Sequence, residues 1–288
     1  MRTKTLLSVG IAALAIGAPA TASAAQNGPA PTAASVTATT GPYAVTKTSL
    51  SNAQTPSDFG AANVWYPTPS QYAGQTFGAV AIAPGFTEVE SDIAWLGPRI
   101  ASQGFVVITF STNSLGEAPN SRGIALNTAV KYLANDSVAK AEVDPARLAV
   151  VGHSMGGGGV LDAELQNPSL KAGVALMPWE TSNPFAGITV PTAIVGATAD
   201  IIAPPAQHST PFYNAIPSTT PKAYLQLANA THFAAVRTPN PWIAAFTIQW
   251  LKRYLDGDTR YSAGLKTTPP LGINAGSVAS YTGTFGLI

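Results

Sequence analysis

The sequence contains no cysteine and few charged residues, and both shortages narrow its possible functions. Without cysteine there is no disulfide framework, thiolate metal site, cysteine nucleophile or iron–sulfur cluster. Charged residues make up 10% of the chain, the formal net charge is +1, and no basic run occurs, which argues against a nucleic-acid partner. Soluble domains typically carry about 25% charged residues. The surface must therefore be rich in neutral polar and apolar groups, as suits a secreted protein that works near non-ionic or greasy material.

The first residues have the pattern of a secretory signal peptide. Arg2 and Lys4 precede an apolar stretch at 6–15, and residues 22–24 read Ala-Ser-Ala, a small-x-small cleavage pattern. A membrane anchor is disfavoured because the apolar stretch is too short to cross a bilayer and Gly17 and Pro19 follow it. We expect residues 1–24 to be removed, and the protein to be extracellular with no stable membrane insertion.

The rest of the chain alternates short apolar runs with amphipathic stretches, which predicts an α/β fold with a mostly parallel, twisted sheet of about eight or nine strands and helices on both faces. Predicted buried strands are 77–83, 105–110, 148–151, 173–177, 192–196 and 222–227, and predicted helices are 93–103, 121–133, 155–166, 205–216 and 242–255. Segments 43–50 and 63–66 alternate more and are expected to be antiparallel edge strands.

No internal repeat or strong interior linker divides the chain, so a single domain is expected over 42–262. Residues 25–41, rich in Ala, Pro, Thr and Ser, are expected to form a flexible lead-in. Residues 263–288 form a C-terminal extension of uncertain structure. A tail, a short extra strand and the remnant of a sorting signal all remain open for it.

The motif that carries chemistry is Gly152-His153-Ser154-Met155-Gly156, which fits the G-x-S-x-G nucleophile elbow. It follows a predicted strand and opens a predicted helix. A sharp turn there lifts Ser154 above the sheet, and the glycines two residues away on each side let the turn close. The alternatives are a structural serine in a glycine-rich turn and a phosphate-binding loop, although the Lys-Ser/Thr ending of such a loop is missing.

A serine nucleophile needs a base, and the chain has three histidines. The side chain of His153 is expected to point away from its neighbour Ser154. His208 is expected to lie on the surface or at a pocket rim. His232 follows the predicted strand 222–227, and catalytic groups of such sheets gather at the carboxyl ends of the strands. His232 is therefore the predicted base.

The chain order of a hydrolase elbow requires an acid between the serine and the histidine. The candidates between Ser154 and His232 are four carboxylates: Asp162, Glu164, Glu180 and Asp200. The first two fall inside the helix after the elbow. Asp200 follows strand 192–196 and is favoured to hold the tautomer of the base and to stabilise its imidazolium form. Glu180 is the reserve.

Several segments together are more specific than the elbow alone. They are Ala83-Pro84-Gly85-Phe86-Thr87, 93–99 (IAWLGPR), Gly104-Phe105-Val106-Val107, 152–159 (GHSMGGGG), Pro178-Trp179, Ile202-Ala203-Pro204 and Ala230-Thr231-His232-Phe233. From about residue 41 to 261 the chain resembles the actinobacterial cutinases and related bacterial polyester hydrolases, a group that includes enzymes degrading poly(ethylene terephthalate).

The resemblance implies an α/β-hydrolase fold without a lid, and the same triad of Ser154, Asp200 and His232. It implies an oxyanion hole at the backbone N–H groups of Phe86 and Met155. It also implies a substrate groove lined by Phe86, Trp179 and Ile202, whose apolar and aromatic faces suit a polyester unit. For Trp179 the alternative is ordinary core packing.

The expected activity is ester hydrolysis on polymeric or lipid esters of the polyester and cutin type, including poly(ethylene terephthalate), by a monomer that needs no cofactor or metal. A lipase or carboxylesterase acting on triglycerides or short soluble esters is the alternative within the enzyme class. A non-catalytic binding protein on a hydrolase scaffold is the alternative outside it.

Three departures from the family pattern bear on stability and on the groove. The chain lacks the cysteines that form the C-terminal disulfide usual in the family. The loss of this disulfide is expected to cost about 2–4 kcal/mol of stability unless packing compensates. Many members carry Tyr where Phe86 stands. The positions that match the acidic calcium ligands of thermophilic members are Thr198 and Ala228, which supply no carboxylate.

Overall fold

The protein folds around one twisted nine-stranded sheet with helices on both faces. The computed structural model describes residues 24–72 and 74–286, so the expected signal peptide lies outside the described residues apart from Ala24. The strands are β1 (Val45–Leu50), β2 (Ala62–Pro67), β3 (Phe77–Ala83), β4 (Phe105–Phe110), β5 (Val143–His153), β6 (Ala172–Leu176), β7 (Thr192–Ala197), β8 (Lys222–Leu227) and β9 (Val278–Thr284). Their spatial order is β1-β2-β4-β3-β5-β6-β7-β8-β9.

The six central strands, β3 to β8, run parallel to one another. Every residue of β3, β4, β6 and β7 is buried, because helices cover both faces of the sheet. Two apolar cores result, one on each face. This burial explains why the strands are continuous apolar runs, and the predicted bounds of β3, β4 and β8 are confirmed.

The outer strands are antiparallel. β1 pairs with β2, β2 also pairs with β4, and β9 pairs with β8. The prediction that β1 and β2 are both edge strands is wrong for β2, since β1 covers its outer side. The C-terminal extension supplies the opposite edge, where Thr284 lies opposite Lys222.

The helices are α1 (Ala33–Thr37), α2 (Glu90–Ile93), α3 (Leu96–Ala101), α4 (Pro119–Asn135), α5 (Met155–Gln166), α6 (Ser209–Ala215), α7 (Pro241–Tyr254) and α8 (Ser262–Lys266). The single helix expected over 93–103 is two short helices. Pro98 has no N–H to donate to the carbonyl of Ala94, and Gly97 instead makes a tighter bond to Ala94 at 3.0 Å. No helix within 24–72 and 74–286 is long and apolar enough to cross a membrane.

The segment expected to be a flexible lead-in contains α1, which packs on α7. Val36 of α1 is buried in the core, and its carbonyl accepts a hydrogen bond of 2.7 Å from Arg99 Nη2. The α1 helix begins with a side-chain cap from Thr32. These contacts tie the segment before β1 to the body of the domain.

Candidate active site

Ser154 lies at the turn between β5 and α5 in a strained backbone conformation. Its φ is 54° and its ψ is −120°, a left-handed φ that a residue with a Cβ rarely adopts. A Cβ on Gly152 would overlap the carbonyl oxygen of Gly156. A Cβ on Gly156 would lie 2.5 Å from the carbonyl oxygen of Pro84. The turn therefore closes only with glycine at both positions, as the elbow motif predicts.

The structure brings Ser154, His232 and Asp200 into one hydrogen-bonded chain. The Oγ of Ser154 lies 2.8 Å from Nε2 of His232, and Nδ1 of His232 lies 2.7 Å from Oδ2 of Asp200. All three side chains are largely buried, although they lie at the carboxyl ends of strands β5, β7 and β8. The arrangement matches the predicted order of nucleophile, base and acid, whose catalytic roles stay predictions.

Asp200 is held ionised by the groups around it. Burial alone would raise its pKa. Hydrogen bonds from His232 and from the backbone N–H groups of Ala203 and Ile202, together with the charge of His232, outweigh burial and lower the pKa. The two backbone bonds measure 2.7 and 2.9 Å and end on Oδ1. Oδ2 is thereby left to accept the Nδ1 proton of His232, which leaves the Nε2 lone pair facing Ser154.

Glu180, the reserve acid, does not face His232. Its Oε1 accepts hydrogen bonds from the backbone and hydroxyl of Thr181 and from the backbone of Ser182. His208 stacks on Trp179 with ring centroids 6.0 Å apart. Burial lowers the pKa of His208. Neither residue takes part in the chain from Ser154 to Asp200.

Phe86 and Met155, the expected oxyanion-hole residues, directly follow Gly85 and Ser154, which are close together, since a Cβ on Gly85 would lie 2.8 Å from the Cβ of Ser154. Met155 begins α5, and the first N–H groups of a helix have no partner within it. Phe86 belongs to the turn after β3, in which Thr87 has a φ of 60° and donates its N–H to the carbonyl of Leu115. Arg122 reinforces this turn from α4 by donating to the carbonyl oxygens of Pro84 and Leu115.

Exposed apolar side chains lie in the loops that carry the triad and the turn after β3. Phe86 is 54% exposed and Ile202 45%, and Phe233, which the sequence analysis did not single out, is 56% exposed. Trp179 is half-buried and lines a cleft of 510 Å³ together with Met155. Exposed aromatic and aliphatic side chains next to a nucleophile can take up an apolar ester chain. Its position directly after His232 is the feature of the sequence that places Phe233 near the site.

The two positions that the resemblance associates with calcium do not fit a metal. Thr198 and Ala228 offer no carboxylate, and the Thr198 hydroxyl instead accepts the N–H of Asn229 at 2.8 Å. Within the part of the chain that the structure describes, no three His, Asp or Glu side chains are grouped to hold a metal ion.

The chain matches the model of a family described as PETase, PET hydrolase-like, over residues 19–283. The chain belongs to this PET hydrolase-like family. Among its relatives is a bis(hydroxyethyl) terephthalate hydrolase of Streptomyces coelicolor, 49% identical over 253 residues, which are 88% of this chain and 80% of the relative. A Thermobifida fusca cutinase is 45% identical over 277 residues, covering 95% and 90% of the two chains. Cutinase 1 of Thermobifida cellulosilytica is 46% identical over 261 residues, covering 90% and 97%.

Family membership confirms three predictions from the sequence. The resemblance to cutinases and polyester hydrolases is confirmed. The α/β-hydrolase fold with a mostly parallel sheet is confirmed, with nine strands. The enzyme class, a serine carboxylic-ester hydrolase, is confirmed as well.

Proposed function

We propose that the protein hydrolyses ester bonds of polyester and cutin-type substrates through an acyl-enzyme on Ser154. The observation that carries the proposal is the continuous chain of hydrogen bonds from Ser154 through His232 to Asp200, at 2.8 and 2.7 Å. These distances lie within the reach that a nucleophile, its base and an orienting acid need. The chain opens onto an apolar surface that contains Phe86 and Ile202.

In this mechanism Nε2 of His232 takes the proton of Ser154 as Oγ attacks the ester carbonyl carbon. The N–H groups of Phe86 and Met155 stabilise the negative oxygen of the tetrahedral intermediate. The imidazolium of His232 then protonates the departing alcohol, while the charge of Asp200 stabilises it. A water molecule, activated by the same histidine, hydrolyses the acyl-enzyme and frees the acid. Every step uses groups of the chain, so no cofactor is required.

The substrate class is supported by the relatives and by the groove. One relative is named for hydrolysis of bis(hydroxyethyl) terephthalate and others are named cutinases. Phe86, Trp179 and Ile202 are proposed to bind the chain on either side of the scissile ester, with aromatic faces stacked on aromatic or aliphatic units. An open groove of this kind suits a long polymer better than a closed pocket.

A product assay tests both the chemistry and the substrate. The purified protein is incubated with amorphous poly(ethylene terephthalate) film and, separately, with tributyrin, and Ser154→Ala serves as the control. Release of terephthalic acid and its hydroxyethyl ester from film by the parent, and not by the variant, is expected. Activity on tributyrin alone would replace the polymer assignment with a lipase or carboxylesterase. Parental activity in Ser154→Ala would overturn the nucleophile.

We further propose that residues 1–24 are a signal peptide and that the exported protein is monomeric, with a catalytic domain that consists of the expected 42–262 together with α1 and β9. Thermobifida relatives named cutinases support an extracellular site of action, because cutin is an extracellular polymer. N-terminal sequencing of protein from the medium is expected to start near Ala25, and light scattering is expected to give the mass of one chain. An uncleaved start at Met1 in the medium would overturn the signal peptide.

A further inference from the structure

Glu88 is a buried carboxylate beside the active site that the mechanism above does not use. It is 7% exposed and lies in the turn after β3 that also holds Phe86. Its Oε2 accepts the N–H of Gly85 at 2.6 Å, and its own N–H donates to the carbonyl of Gly85 at 3.2 Å. The side chain therefore fixes the Pro84–Gly85 peptide from inside the turn, while the Glu88 N–H holds the carbonyl of the next peptide, which presents the Phe86 N–H.

His153 connects this turn to the loop of the catalytic histidine. Its ring is fully buried, with Nδ1 2.9 Å from Oε1 of Glu88 and Nε2 2.8 Å from the backbone carbonyl oxygen of His232. The rings of His153 and His232 pack with centroids 4.8 Å apart. A single imidazole, one residue before Ser154, thus touches both the oxyanion turn and the residue that serves as base.

The partners of His153 determine the hydrogen-bonding role of each of its ring nitrogens. A carbonyl oxygen only accepts hydrogen bonds, so Nε2 of His153 must carry hydrogen. On the other side a bare Nδ1 lone pair would repel a carboxylate, so a second proton lies between Nδ1 and Glu88. The hydrogen bond between Nδ1 and Glu88 is made away from water, where the low local dielectric strengthens it.

We propose that Glu88 and His153 are positioning residues, a second carboxylate–histidine pair that holds the Phe86 N–H and His232 at a fixed separation across Ser154. The inference rests on the proposed function, since it presumes the roles of Phe86 and His232. Both groups must lie within a few tenths of an ångström of their working positions, because oxyanion donors act only when preorganised. The pair supplies this constraint without contacting substrate.

Three variants separate positioning from mere stability, with kcat and KM measured on p-nitrophenyl butyrate well below the unfolding temperature. Glu88→Ala is expected to lower kcat by about tenfold. Removal of one oxyanion donor lowers kcat by about a hundred- to a thousandfold, and the smaller loss is expected because this variant displaces the donor without removing it. Its KM should stay within about twofold of the parent, since the groove side chains that bind the ester are untouched. Glu88→Gln should restore most of kcat, because its amide donates to Nδ1 while its carbonyl accepts the Gly85 N–H.

The matched control is Asp258→Ala. Asp258 is also a buried carboxylate that accepts a backbone N–H and pairs with a cationic side chain, here Arg260. It lies beyond α7, far from the elbow along the strands, near the end where Asp256 pairs with Arg147. We expect Asp258→Ala to lower the melting temperature and to leave kcat unchanged. A loss of kcat equal to that of Glu88→Ala would reduce the role of Glu88 to general stability.

A double-mutant cycle tests whether the two residues act as one unit. If they do, Glu88→Ala combined with His153→Ala costs no more in kcat than the larger single loss. Additive losses, or parental kcat in Glu88→Ala, would overturn the proposal. Ser154→Ala distinguishes failure of the proposed function from failure of the positioning pair. Activity of Ser154→Ala equal to that of the parent would contradict the proposed function. An inactive Ser154→Ala together with an unimpaired Glu88→Ala would contradict only the positioning pair.

Discussion

Asp162 is a carboxylate that the folded protein prefers to keep protonated, so Asp162→Asn is expected to stabilise the fold above pH 6. Its side chain lies on α5 and lines the cleft beside Met155 and Trp179. Burial, and then the nearby charge of Glu180, raises the pKa of Asp162 from 3.8 to about 6. Glu180 is itself hydrogen-bonded by the 181–182 backbone and so holds its charge in place.

The sign of the effect follows from the raised pKa. Below pH 3.8 Asp162 is protonated in both the folded and the unfolded protein and does not reduce the stability of the fold. Between 3.8 and about 6 the unfolded chain ionises first, so stability falls as pH rises, and above 6 the full cost persists. The whole difference corresponds to about 3 kcal/mol. Because the carboxylate meets water in the cleft, screening reduces this to about 1–2 kcal/mol.

Urea unfolding at pH 4 and pH 8 measures this difference directly. The free energy of unfolding of Asp162→Asn should exceed that of the parent by about 1–2 kcal/mol at pH 8, which corresponds to roughly 2–8 °C in melting temperature. At pH 4 the two free energies should be nearly equal. Asp144→Asn is the control of opposite sign, since hydrogen bonds from Arg147 and the backbone outweigh burial and lower the pKa of Asp144. Equal stability of Asp162→Asn and parent at pH 8, or a gain that is the same at both pH values, would refute the reasoning.

Three further changes probe the site and the core. Asp200→Asn should lower kcat by about 10⁴, as in related triads, because the amide would donate to Nδ1 of His232 and move the imidazole proton to Nε2; a loss below tenfold in steady-state kinetics would contradict the role of Asp200. Gly156→Ala would place a Cβ 2.5 Å from the carbonyl oxygen of Pro84 and displace the oxyanion turn. Its kcat should fall by on the order of a hundredfold, and parental kinetics would show that the turn tolerates the shift. Trp250→Ala empties a fully buried site and should cost about 3–5 kcal/mol in urea unfolding; a cost under 1 kcal/mol would mean that the core collapses around the gap.

The parallel strands were predictable because their surroundings are uniform. Where both faces of a strand are covered, as in β3 and β4, burial imposes a continuous apolar run that is visible without a structure. The elbow was predictable for a similar reason, since local steric limits at Gly152 and Gly156 demand glycine. The break between α2 and α3 had a local cause in Pro98, but apolar periodicity across it concealed the break.

Other features depended on contacts between distant segments. The pairing of β9 with β8 joins residues far apart in the chain, and the sequence of β9, VASYTGT, has no strong strand pattern. The position of Glu88 beside His153, 65 residues away, likewise followed from no local signal. The proximity of Phe233 to the site could have been predicted from its position next to His232, but its exposure could not.

Sequence alone determined the class of the fold and the residues of the elbow, and it predicted the chain order of nucleophile, acid and base, because strand burial and tight turns act over a few neighbouring residues. Only the tertiary structure decided which carboxylate meets His232, since Asp200 and Glu180 both follow strands and differ in where their loops lead. It also decided that His153 pairs with Glu88. Distances between loops are set by the packing of the whole sheet, and no short segment of the chain contains that information.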